Sequence, residues 1–69
     1  MSDATRLAAG ASDADPATGL RSVAALRRLA EQLEAVQVRN ARNQGWTWQQ
    51  IADQLGVTRQ AVHKKHGRT

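Results

Sequence analysis

Sixty-nine residues without a single cysteine allow one domain with a thin core, and exclude a disulfide frame or a thiolate zinc site. Charge is divided unevenly: residues 1–19 carry a net −2 and residues 20–69 a net +6, which together give the overall +4. No apolar run spans a bilayer and no secretory leader opens the chain, so a membrane or exported role is not expected, and the basic part points to a polyanion as partner.

Residues 1–19 are small and polar, broken by Gly10, Pro16 and Gly19, with Leu7 as their only large apolar side chain. So little burial cannot offset the entropy of ordering, and the composition predicts a disordered tail. An alternative is an acidic segment that folds back over the basic part.

From Leu20 to about Gln44 the chain lacks proline and interior glycine and is rich in Ala, Leu, Arg, Glu and Gln, which predicts one long helix ended by Gly45. Thr18 and Ser22 both qualify as its cap. At about 100° per residue its apolar positions fall on two neighbouring sides. Ala30, Val38 and Ala41 make one, and Leu26, Leu29, Leu33 and Val36 make the other. Val38 and Ala41 are expected to close a core with the segment that follows. The leucine stripe lacks a partner in so short a chain, and it predicts a homodimer seam. The alternative is that these leucines extend the core.

Gly45–Gly67, GWTWQQIADQLGVTRQAVHKKHG, carries the most information. Thr47 with Gln50 fits a capping box, and Trp46 and Ile51 fit the hydrophobic staple around it. A helix over 48–55 follows, with Ile51, Ala52 and Leu55 on one face. Gly56 stops it, Val57 turns inward, and Thr58 caps a second helix, 59–66, whose buried side is expected to hold Ala61 and Val62. Ala52 permits close approach of the two helices, and Gly56 accepts a turn conformation that a side chain would penalise.

At these offsets the stretch resembles the bacterial helix-turn-helix DNA-binding superfamily. The resemblance runs from about Glu34 to Gly67 and is best over Gly45–Lys65. The tri-helical arrangement is similar to resolvase-type and sigma-factor promoter-reading domains, and the tryptophan-led motif looks like small actinobacterial proteins of this kind. Too little sequence follows Gly67 for a wing. The implied fold is all-α: a three-helix helix-turn-helix domain over 20–69, with an elongated first helix behind the tail.

Such a motif sets its second helix in the major groove while the first abuts the backbone. Thr58, Arg59, Gln60, His63 and Lys64 are then the expected base readers. Arg59 is suited to guanine, Gln60 to adenine, and Thr58 to a thymine methyl or a phosphate. Thr47, Trp48, Gln49, Lys65 and Arg68 are the expected backbone contacts. Lys64, Lys65 and Arg68 also suit the helix dipole without any ligand. Trp48 can either pack or lie against a sugar-phosphate chain, and packing is the commoner fate of a tryptophan.

The expected function is a sequence-specific DNA-binding regulator acting as a homodimer on double-stranded DNA, in the cytoplasm and at the nucleoid. The alternatives are a low-specificity architectural protein, which gains affinity from counterion release, and a protein-interaction adaptor that uses the long helix. Catalysis is not expected. His63 and His66 lie on a basic helix with no carboxylate in the same stretch of sequence, and the serines have no base near in sequence. Neither a metal, a cofactor nor a small-molecule ligand is expected.

Overall fold

A computed structural model describes residues 2–67. Among them are four helices: α1 (Asp3–Ala11), α2 (Pro16–Asn43), α3 (Trp48–Leu55) and α4 (Arg59–His66). There is no strand among the described residues, in line with the all-α expectation. The chain divides into two compact units, Met1–Leu33 and Glu34–Thr69, and α2 contributes to both.

In the first unit, the expected disordered tail is replaced by α1 and the opening turn of α2. Local polar chemistry accounts for the difference. The Ser2 hydroxyl caps α1 by accepting from the Thr5 amide at 3.2 Å. Asp15 caps α2: its carboxylate accepts from the Thr18 amide at 3.2 Å and from the Thr18 hydroxyl at 2.9 Å. Pro16 thus occupies the first helical position, where its fixed φ suits the helix and its missing N–H leaves nothing unsatisfied. The long helix therefore starts at Pro16 rather than Leu20, and neither Thr18 nor Ser22 is its cap. Gly10 marks a close approach, because a methyl group there would collide with the Ser22 hydroxyl of α2. Among its described residues this unit has no buried apolar side chain; Gly19 is the one buried residue there and Leu7 is half-buried.

The second unit holds the core. Val38 of α2, Ile51 and Ala52 of α3 and Val62 of α4 are buried together, with Ala41 and Trp48 packed against them. The helix ends follow from the sequence. Gly45, at φ +85°, closes α2 in a Schellman turn, with the Trp46 amide donating to the Ala41 carbonyl at 2.9 Å and the Gly45 amide to the Arg42 carbonyl at 3.1 Å. Thr47 and Gln50 form the expected capping box of α3. Gly56 ends α3 in the left-handed region at φ +69°, and the Val57 amide donates to the Ala52 carbonyl. Thr58 caps α4 by accepting from the Ala61 amide at 3.1 Å.

The core is narrower than expected. Leu55 and Val57 keep 39% and 46% of their surface, Trp46 keeps 37%, and Ala61 is exposed rather than inward-facing. Two eight-residue helices and one end of α2 enclose little volume. Only side chains aimed straight at the crossing are covered.

Candidate nucleic-acid interface

On α4 the buried residue is Val62 alone. At about 100° per residue, Gln60 and Lys64 lie on the face opposite it, with Ala61 and His63 on its two flanks. Arg59, Gln60, Ala61, His63 and Lys64 are all exposed. The outward face is thus centred on Gln60 and Lys64. Three of the five expected base readers, Gln60, His63 and Lys64, are presented there or on a flank, whereas Arg59, about 60° from Val62, is exposed at the first turn of the helix. Thr58 stands at the N-terminal end, with its oxygen committed to the helix cap. Ala61 is a position that the sequence reading assigned to the core. An exposed alanine methyl on the flank of such a face is suited to the C5-methyl of thymine.

His63 has a second tie. Its ring meets the Trp48 indole edge-on, with centroids 5.2 Å apart and planes at 80°. On the same indole lies the Arg42 guanidinium, 4.6 Å from the ring centroid. Arg42 also donates to the Trp46 carbonyl at 2.7 Å. Trp48 is half-buried in this stack, so it packs among α2, α3 and α4 rather than standing out as a free backbone contact.

The C-terminal end of α4 is fastened to α2. Glu34 Oε2 lies 2.6 Å from His66 Nε2 and 3.2 Å from Lys65 Nζ. The hydrogen bond with His66 holds the Glu34 carboxyl below its usual range, with Lys65 adding to the effect and partial burial opposing it. Lys65, an expected backbone contact, therefore also serves as an intramolecular clamp. The signal for Glu34 was in the sequence only as one carboxylate on a basic unit, with its partner 32 residues away.

At the start of α3, the Thr47 oxygen accepts from the Gln50 amide at 3.1 Å, and the Gln50 side-chain oxygen accepts from the Thr47 amide at 2.9 Å. The Gln49 side-chain amide donates to the Asp53 carboxylate at 2.8 Å. Thr47 and Gln49 are exposed, as a backbone contact requires, but each already has an internal partner. Arg68 lies outside the described residues. On α2, Leu26 and Leu29 are half-buried, whereas Leu33 and Val36 keep 58% and 55% of their surface. Among the described residues no helix is long and apolar enough to cross a membrane.

Comparison with known proteins agrees with this geometry. No curated protein and no solved structure matches the chain. Residues 23–66, which include all of α3 and α4 and most of α2, match the homeodomain-like domain family. With well over half its length in the match, a capped two-helix unit and a basic last helix, the chain belongs to the homeodomain-like family of helix-turn-helix DNA-binding domains.

Proposed function

We propose that this protein is a sequence-specific transcriptional regulator that reads the major groove with α4 and binds as a dimer. One observation carries the reading. The face of α4 opposite Val62 presents Gln60 and Lys64, exposed and outside the packing of the unit, with Ala61 and His63 on its flanks. Arg59, exposed at the first turn of the helix, adds a long side chain with donors suited to base edges. On this reading Lys65 and the capped start of α3 serve as backbone contacts, which set register without reading sequence. The exposure of Leu33 and Val36 supports a dimer seam along α2, a surface that a soluble monomer would not usually leave open.

Selection from a random duplex library at near-physiological salt tests the specificity. An enriched site is the expected result, and a repeated half-site would give the dimer geometry through its spacing. Binding without enrichment would favour the architectural alternative, and no retention on DNA would favour the adaptor. On the enriched site, Arg59→Ala is expected to lose about 1–3 kcal/mol and relax one base preference. Lys65→Ala should weaken all sequences alike. Identical behaviour of the two variants would refute the division into readers and clamps. Sedimentation as a monomer at tens of micromolar would remove the dimer.

A further inference from the structure

We propose that the concavity between the C-terminal turns of α2 and α4 is a second phosphate-binding site for the DNA backbone, with Arg39 and Arg42 as its anion ligands. The proposal rests on the DNA-binding reading and adds to it a part of α2 that the motif alone does not involve. The concavity, of about 650 Å³, is lined by Arg39, Arg42 and Asn43 of α2, by Trp48 of α3, and by His63 and Lys65 of α4. All belong to the second compact unit.

Its two arginines are not neutralised by a carboxylate among the described residues, since Glu34 engages Lys65 and His66 instead. Arg39 has neither a hydrogen bond nor an ion pair among the described residues, and Arg42 has no carboxylate partner among them. Arg42 is nevertheless held in place, by its bond to the Trp46 carbonyl and by the Trp48 ring beneath it. A guanidinium carries five donors, so one internal bond leaves most of them for a ligand. A fixed guanidinium without a carboxylate suits a phosphate oxygen, since little side-chain entropy remains to be lost on binding.

Position identifies the anion. Trp48, which lines the concavity, is the first residue of α3. The N-terminus of that helix is the part of a helix-turn-helix expected to abut the sugar-phosphate chain. His63, which also lines it, is on the flank of the recognition face. A strand passing the start of α3 while α4 occupies the groove would meet Arg39 and Arg42 at the next phosphate.

The test is the salt dependence of binding, measured on an enriched site and on a random duplex. Arg39 is the informative position because it is exposed and makes no hydrogen bond or ion pair among the described residues, so Arg39→Gln should melt as the parent protein does. Removing one phosphate contact lowers the slope of log K against log salt by about 0.9 in magnitude. Arg39→Gln is expected to show that loss on both DNAs, and Arg39→Lys to restore the slope. A slope unchanged in Arg39→Gln, while Lys65→Ala lowers it, would overturn the second site and leave DNA binding intact. Failure of the parent protein to bind either duplex would overturn both.

Discussion

Val62→Ala separates the narrow core from the broader one that hydrophobic periodicity predicts. Val62 keeps 2% of its surface and is the only buried side chain of α4. The substitution removes two methyl groups, worth about 1.6 kcal/mol in transfer at about 0.8 kcal/mol each. The vacated space is on the order of 50 Å³, which at about 24 cal/mol per Å³ adds up to about 1 kcal/mol if the neighbours do not collapse. The expected loss is therefore about 2–2.5 kcal/mol. For a domain this small that lowers Tm by about 10–20 °C. Thermal melting followed by helical circular dichroism measures it. Val57→Ala is the control: with 46% of the side chain already in water, it forfeits about half the transfer term and opens no enclosed cavity. Its loss should stay below about 1 kcal/mol. Equal shifts for the two variants would refute the claim that the core stops at Val62.

Two further outcomes follow from polar contacts. Thr47→Ala removes one half of the α3 capping box and should lower stability by about 1 kcal/mol, whereas Thr47→Ser should melt near the parent protein. The Glu34 carboxyl titrates below its unfolded value, so its contribution is fully present above that value and is lost as pH falls through the folded one. Melting from about pH 6 down to about pH 3 should show Glu34→Gln less stable than the parent at the upper end. The gap should close at the lower end, and a gap constant across that range would show that the Glu34–His66 contact is not ionic.

The parts legible in the sequence were those set by neighbours in the chain. Thr47 with Gln50, Gly56 and Thr58 fix the limits of α3 and α4, and each works within one turn of helix. The start of α2 was equally local, yet Asp15-Pro16 lay inside a stretch whose composition suggested disorder. A cap followed by a proline at the first position was the available signal. Core membership was harder. Periodicity assigns Leu55, Val57 and Ala61 to a side of a helix, but how wide a strip is covered depends on how much partner there is, and here the partners are short. The Arg42–Trp48–His63 stack was out of reach for another reason, since its members come from three helices and none is unusual alone.

The same economy of contacts shapes how α4 can work. A recognition helix must hold its side chains in fixed register, because small displacements at base edges weaken paired hydrogen bonds. With one buried residue, α4 cannot obtain that rigidity from apolar packing alone. It is held instead at three points: the Thr58 cap at its start, Val62 in its middle, and Glu34 across to Lys65 and His66 at its end. The tie between His63 and Trp48 restrains one flank as well. None of these contacts uses the side chain of Gln60, Ala61 or Lys64, since the cap takes only the Ala61 backbone amide. The residues that place the helix are therefore distinct from those that face outward, so the outward set is free to change DNA preference while the fold stays as it is. His63 is the exception, since its ring serves the packing and borders the recognition face at once. Its substitution should disturb affinity and register together, where changes at Gln60 alter preference alone.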